Sequence, residues 1–348
     1  VTPARDAPRV MVDARFHEIV SRQRRSAVGY DAPPHMNRIV VFSGSAHRDL
    51  ARALCRRLKI PLSPSNTTTF SNDCLGVQLE ANCRQADVFI VQPLALPVQH
   101  HLMELLLMLD AARGASAARI TAVIPYFAYA RSDKKDAPRI SITARLVADL
   151  LVTAGANRVL TMTLHSPQVH GFFSVPVDHM NALEVLAQHF RRQRLDNTVI
   201  VSPDLGNAKE ASHFARSLER PMAVASKKRV SDDRVVIDTL VGDVDGKNVI
   251  VLDDEIANGG TVIEVLKKLR ERRVKKIAVA CTHGLFTGKA IARLRAEPDI
   301  VEIVTTDTVP LPPEKRLPNM KVLSIAPLLA ETIRRIHKGE SVSRLFDV

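Results

Sequence analysis

A chain of 348 residues has room for two domains of ordinary size, each with its own core. Its formal net charge of +12 points to anionic partners, yet aromatics are only 4% and tryptophan is absent, which leaves few stacking platforms for single-stranded nucleic acid. No apolar run approaches the length of a membrane span, and small polyanionic substrates explain the charge at least as well as nucleic acid does.

Residues 1–36 carry Arg5, Arg9, Arg15, Arg22, Arg24 and Arg25 with four acids and no apolar stretch of the signal-peptide kind, so they read as a polar, partly disordered extension. The folded part begins near Asn37, where Arg38-Ile-Val-Val-Phe-Ser43 predicts a first strand, followed by a Gly-Ser turn and a helix over 47–58. Further strands are expected over 88–92, 120–124, 159–162, 198–202, 222–225, 235–240, 249–252, 277–281, 301–304 and 321–325. Helical spacing appears near 101–113, 141–154, 208–218, 262–272 and 326–337. This alternation predicts an α/β fold with mostly parallel sheets flanked by helices. No low-complexity linker marks a boundary, which is set near Met180. Cys55, Cys74, Cys83 and Cys281 show no CxxC spacing; reduced thiols in a cytoplasmic protein are expected, and a zinc site is not.

The segment Val249-Ile-Val-Leu-Asp-Asp-Glu-Ile-Ala-Asn-Gly-Gly-Thr261 concentrates the most chemistry. A β-branched run stops at Asp253 and Asp254, and Gly259, Gly260 and Thr261 lead into a helix whose apolar positions are Val262, Val265, Leu266 and Leu269. Free N–H groups at a helix start attract phosphate, glycines let the backbone approach, and carboxylates beside them suit sugar hydroxyls. Taken alone, Gly259-Gly260 is more readily a tight turn than a phosphate cradle; it is neither a Walker A loop nor a Gly-x-Gly-x-x-Gly fingerprint.

Four further segments are unusually polar for places beside strands. Tyr129-Ala-Arg-Ser-Asp-Lys-Lys-Asp136 gathers Arg131, Lys134 and Lys135 on a loop suited to a polyphosphate, or to plain solvation. Thr161-Met-Thr-Leu-His-Ser166 places His165 just beyond a strand. In Val201-Ser-Pro-Asp-Leu-Gly-Asn-Ala-Lys209, Asp204 offers the carboxylate oxygen that a hard cation such as Mg²⁺ prefers. Ser226-Lys-Lys-Arg229 sets three cations at the end of a strand, a candidate arm for stabilising phosphoryl-transfer charge.

These blocks are collinear with a known pattern. From Asn37 to Val348 the chain resembles ribose-phosphate pyrophosphokinase, the phosphoribosyl pyrophosphate synthetase family. The likeness runs through Phe42-Ser-Gly-Ser45, Phe70-Ser-Asn72, Leu102-Met-Glu-Leu-Leu106, Thr121-Ala-Val-Ile-Pro125, Tyr129-Ala-Arg131 and Asp133-Lys-Lys-Asp136. It continues through Leu164-His165, Gly171-Phe-Phe173, Pro176-Val-Asp178, Ser202-Pro-Asp204, Thr282-His-Gly284 and Gly339-Glu-Ser-Val-Ser343.

The resemblance implies two phosphoribosyltransferase-like α/β domains, over 37–180 and 181–335, with 336–348 returning to the first. It implies attack of the 1-hydroxyl of ribose 5-phosphate on the β-phosphorus of Mg-ATP, releasing AMP. Phe70, Asn72, Arg131, Ser132, Asp136 and His165 would line the nucleotide region, with His165 and Asp204 near the metal. Asp204 and Gly206 would belong to the pyrophosphate loop, Asp253 and Asp254 would face the ribose, and Asn258, Gly259, Gly260 and Thr261 would cradle the 5-phosphate. Lys227 and Arg229 match the family's catalytic Lys-x-Arg. Arg84, Arg139, Ser341 and Ser343 match positions of an allosteric phosphate/ADP site. The family assembles from dimers into hexamers, and its nucleotide pocket draws on a neighbouring subunit.

The chain departs from the family at Cys74 and Thr163, which replace acids, at Ser132, which replaces Gln, at Ala257, which replaces Asp, and at Asn207, which replaces Gly. These departures motivate an alternative, a weak or inactive homologue that regulates an active synthetase. A base-using phosphoribosyltransferase is the third reading, disfavoured by the two domains and the polybasic 131–135 segment.

Overall fold

A computed structural model describes residues 38–231 and 234–345, with side chains of 227–231, 234–238 and Arg344 outside the described part. The expected extension 1–36 therefore lies outside the described residues, as do the side chains of Lys227 and Arg229.

The first half is built on β1 (Ile39–Ser43), β4 (Asp87–Val91), β5 (Arg119–Ile124), β6 (Arg158–Met162) and β7 (Val177–Met180), paired in that order and all parallel. Strands such as Asp87–Val91 are buried along their whole length, as strands covered on both faces must be. Apolar side chains alternate between two cores: Phe42, Val88, Ile90 and Ile124 face one, and Val41, Phe89, Val91 and Val123 the other. A separate antiparallel hairpin, β2 (Ser65–Thr69) and β3 (Leu75–Leu79), escapes the apolar-periodicity reading because β2 is Ser-Asn-Thr-Thr-Thr.

Helices α1 (Arg48–Leu58), α2 (Val98–Gly114) and α3 (Thr143–Ala154) accompany this sheet. The last helix, Ala326–Lys338, shares a core with Val41, Leu50, Leu54 and Phe89 through Ile325, Leu329, Ile333 and Ile336. The chain thus returns to the first half at Ile325, upstream of the expected 336, because this helix has an apolar face at i, i+4, i+8 that only the first core covers. Ile333→Val, at a fully buried site in that seam, is expected to cost about 0.5–1.5 kcal/mol, read as a lowered urea midpoint with an unchanged slope.

The second half uses β8 (Thr198–Ser202), β9 (Met222–Ser231), β10 (Arg234–Val241), β11 (Asn248–Ile256), β12 (Ile277–Gly284), β13 (Ile300–Thr306) and β14 (Met320–Leu323). Their spatial order is β10-β9-β8-β11-β12-β13-β14, and only the β9–β10 pair is antiparallel. The chain leaves β8 towards β9 on one side and comes back to β11 on the other. That reversal is a topological switch point, where the loops after β8 and β11 part and leave a crevice at their carboxyl ends.

Several strands are longer than the sequence suggests. β11 continues through Asp253, Asp254 and Glu255, because Asp253 pairs with Cys281 and Glu255 with His283 on β12, which itself runs on to Gly284. β9 runs on through Lys227 and Arg229, supported by β10, so the cations lie along a strand and not at its end. The short helices Leu183–Phe190 and Ala290–Arg295 and the strand β7 were not expected.

Candidate active site

The loops after β8 and β11 each lead into a helix N-terminus, a place where free N–H groups can receive an anion. After β11 the chain turns through Asn258 and Gly259 into the helix Gly260–Glu271. Gly259 has φ +75°, the left-handed region that glycine adopts without strain. The Asn258 side chain accepts from Gly260 N–H at 2.9 Å, and Arg293 Nη1 donates to the Asn258 carbonyl at 2.9 Å. After β8, Asp204 Oδ1 accepts from Asn207 N–H at 2.9 Å, opening the helix Ala208–Ser217.

Asn207 explains its own presence. Its φ of −90° needs no glycine, and its buried side chain donates to the Leu252 carbonyl at 2.7 Å, tying the two loops together across the switch point. Asparagine therefore fits this loop without backbone strain.

Across from these loops stand residues of the first half. His165 Nδ1 donates to Asp254 Oδ2 at 2.6 Å. The hydrogen bond that His165 donates to Asp254 holds its imidazole above its ordinary pKa despite opposing burial. Burial would raise Asp254, but the His165 hydrogen bond and charge carry it well below the usual carboxylate range. Beside this pair, Arg131 Nη2 lies 3.3 Å from Glu255 Oε1, and the Tyr126 hydroxyl donates to Glu255 Oε2 at 3.3 Å. Burial pushes the Glu255 carboxyl up, and the Asp254 charge adds to it against the pull of Arg131.

The third tie is His283, whose Nε2 donates to the Thr163 carbonyl at 3.0 Å while Nδ1 accepts from Thr308 Oγ1 at 2.9 Å. Burial lowers its pKa and keeps this arrangement neutral. Thr163, standing where the family has an acid, has φ +41° and accepts from Ala182 N–H at 3.2 Å. It works as part of the joint between the halves. Tyr126, Arg131, Thr163, His165, Glu255 and His283 together line a cleft. Of these, Tyr126, Glu255 and His283 were not singled out from sequence, nor was Arg293 beside the phosphate loop. The signal available for Glu255 was its place directly after the acidic pair.

Other expected residues lie elsewhere. Phe70 is 55% exposed near the end of the β2–β3 hairpin, and Asn72 accepts from Cys74 N–H at 3.2 Å in its turn. Neither lines the cleft of its own chain. Ser132 accepts from Thr143 N–H at 3.1 Å and closes the loop that bears Asp136, which faces Lys134 at 3.8 Å in solvent. Ser341 and Ser343 share a turn, Ser343 N–H donating to Ser341 Oγ at 3.2 Å. Among the described residues no hydrogen bond or ion pair joins Arg84 or Arg139 to them. Gly206 sits in the Asp204 loop, where its ideal Cβ would be 3.1 Å from Asp204 Oδ1.

Among the described residues no three His, Cys, Asp or Glu side chains gather as a ready metal cage, so His165 and Asp204 do not form one. Mg²⁺ commonly takes only one or two carboxylates and completes its shell with water and substrate phosphates. The carboxylates at the ends of β8 and β11 fit that demand. No helix among the described residues is long and apolar enough to cross a membrane.

Comparison with known proteins agrees with this geometry. Residues 39–155 match a family model described as the N-terminal domain of ribose phosphate pyrophosphokinase, and 229–347 one described as the phosphoribosyl synthetase-associated domain. A putative ribose-phosphate pyrophosphokinase of Streptomyces coelicolor is 63% identical over 90% of this chain and 98% of its own length. The ribose-phosphate pyrophosphokinase of Deinococcus radiodurans is 51% identical over 88% and 98%. The crystal structure of phosphoribosylpyrophosphate synthetase from Mycobacterium smegmatis is similar with a TM-score of 0.82 and 40% identity, covering 86% of this chain and 99% of that one.

Proposed function

The chain belongs to the ribose-phosphate pyrophosphokinase family, and on that premise we propose that it transfers the β,γ-diphosphoryl group of Mg-ATP to the 1-hydroxyl of ribose 5-phosphate, giving phosphoribosyl pyrophosphate and AMP in the cytoplasm. The observation that carries this reading is the meeting of the two halves at the end of β11: its acids pair with Arg131 and His165 of the first half, and the Asn258–Gly259 turn into a helix N-terminus follows them in the chain.

In this reading the N–H groups around Asn258, Gly259, Gly260 and Thr261 grip the 5-phosphate, with the helix dipole behind them. Gly260 N–H already has the Asn258 side chain as its acceptor, and incoming phosphate takes over that place. Asp253 and Asp254 accept from ribose hydroxyls and orient the sugar. Arg131 and His165 meet the nucleotide, the latter through Nε2 because Nδ1 is committed to Asp254. Asp204 and Gly206 receive the diphosphoryl group in the loop after β8. Lys227 and Arg229 stabilise charge developing in transfer. Asp204 would hold Mg²⁺, with His165 on the nucleotide side, and the ion would supply neutralisation of phosphate charge.

Phe70 and Asn72 stand away from their own cleft, which supports a nucleotide pocket completed by a neighbouring subunit in a homo-oligomer, dimers building a hexamer. Arg84, Arg139, Ser341 and Ser343 are assigned to regulation by phosphate and ADP on resemblance alone.

Purified protein given ribose 5-phosphate, MgCl₂ and ATP is expected to release AMP in step with phosphoribosyl pyrophosphate. Chelation with EDTA should abolish this and excess Mg²⁺ restore it. Absence of AMP release under these conditions would overturn the assignment.

A further inference from the structure

The cleft contains one buried acid that the reaction as read above leaves without a task. Glu255 has a side chain only 6% exposed, whereas that of Arg131 is 49% exposed. One carboxylate oxygen faces Arg131 Nη2 at 3.3 Å and the other accepts from the Tyr126 hydroxyl at 3.3 Å. A carboxylate withdrawn from water persists where charged or hydrogen-bonding partners occupy its oxygens, and removing one partner is strongly unfavourable.

Arg131 has more to offer than Glu255 uses. A guanidinium carries five N–H donors in a rigid plane, so fixing one edge orients the others. Arg131 ends a short 3₁₀ turn, Ala128–Arg131, and its half-exposed side chain is otherwise free to swing. Glu255 lies on β11, immediately after Asp254, and is held by pairing with His283 of β12.

We propose that Glu255 is a positioning residue for the nucleotide: it clamps one edge of the Arg131 guanidinium so that the remaining donors meet the polyphosphate. The clamp also joins the nucleotide loop of the first half to the strand that carries the ribose-facing acids. The contrary possibility is that Glu255 sequesters Arg131 and competes with phosphate. Burial argues against it, because phosphate that stripped Arg131 away would leave a 6%-exposed carboxylate with the Tyr126 hydroxyl in place of a cation. This inference rests on the assignment of Arg131 to the nucleotide.

Glu255→Gln keeps the volume and an acceptor for Tyr126 while removing the charge. Replacing a charge-assisted bond by a neutral one is expected to raise KM for ATP about tenfold, with KM for ribose 5-phosphate moving less than about twofold. The Kd of MgATP measured by calorimetry without ribose 5-phosphate should weaken in the same ratio. In an Arg131→Ala background the Glu255→Gln change should no longer affect ATP affinity. An unchanged or lowered KM for ATP, equal shifts for both substrates, or a full effect in the Arg131→Ala background would each overturn the proposal. Should Glu255→Gln fail to fold, Arg131→Lys reads the same geometry, since it leaves Glu255 paired with a cation but removes the planar fork. It too should raise KM for ATP selectively, and an unchanged value would overturn the clamp. AMP formation by the unaltered protein reports separately on the function itself.

Discussion

Lys227→Ala is expected to lower turnover about a hundredfold or more at saturating substrates, with little change in either KM, as loss of a donor used only in the transition state does. Diphosphoryl transfer asks little covalent chemistry of the protein, so its rate depends on positioned cations that meet charge as it develops. The backbone path of β9 is compatible with the proposed role of Lys227. β9 pairs with β8 only as far as Val224 against Ser202, and from Ala225 onward its partner is β10. The two strands therefore project as an arm beyond the carboxyl end of β8, on the side where the Asp204 loop begins. Lys227 and Arg229 are carried on that arm two residues apart. Because the two act on one transition state, the double variant should lose much less than the product of the single losses. Single-turnover measurements separate this effect from product release. A loss of tenfold or less in the chemical step, by the same principle, would remove Lys227 from its role.

Much of this arrangement was legible because phosphate sites are local in sequence. A strand, an acid, a glycine turn and a helix start lie within a dozen residues at Val249–Thr261, and again near Asp204, so periodicity and turn chemistry reveal them without tertiary knowledge. The parallel sheets followed from apolar runs too short and too β-branched for helices. What stayed hidden was non-local. Nothing near Tyr126 announces that its hydroxyl meets Glu255, and nothing near His283 announces that its ring donates to the Thr163 carbonyl. Asn207 departs from the family's glycine, and only its hydrogen bond to the Leu252 carbonyl of the neighbouring strand, invisible in the sequence, accounts for it. The β2–β3 hairpin was missed for a different reason. Its threonines have the right backbone preference, but they bury too little apolar surface to leave an alternating pattern.

Acidification from about pH 6.5 towards 4 is expected to destabilise the fold through His179, by up to about 1.4 kcal/mol per pH unit for the one proton involved. His179 lies on β7 and its Nε2 accepts the Leu164 N–H at 2.8 Å, so Nδ1 must carry the proton of the neutral ring. Burial, with added repulsion from His170 and His283, pushes its pKa from 6.5 down to about 4. The unfolded chain therefore takes up this proton near 6.5 while the folded chain refuses it until about 4, and stability falls with pH across that window and levels off below it. His283, lowered by burial, acts in the same direction. His165 acts oppositely: its pKa is raised by Asp254, so its contribution is present on the acid side and is lost as pH rises through the raised value. The acid effect also reaches the site, because a charged His179 can no longer accept from Leu164, the residue directly before His165. Activity should then decline over the same window as stability. His179→Gln offers an oxygen to the Leu164 N–H with no proton to gain, so its urea midpoint should fall less steeply between pH 6.5 and about 4.5 than that of the unaltered protein. Parallel declines in the two proteins would assign the acid limb to other groups.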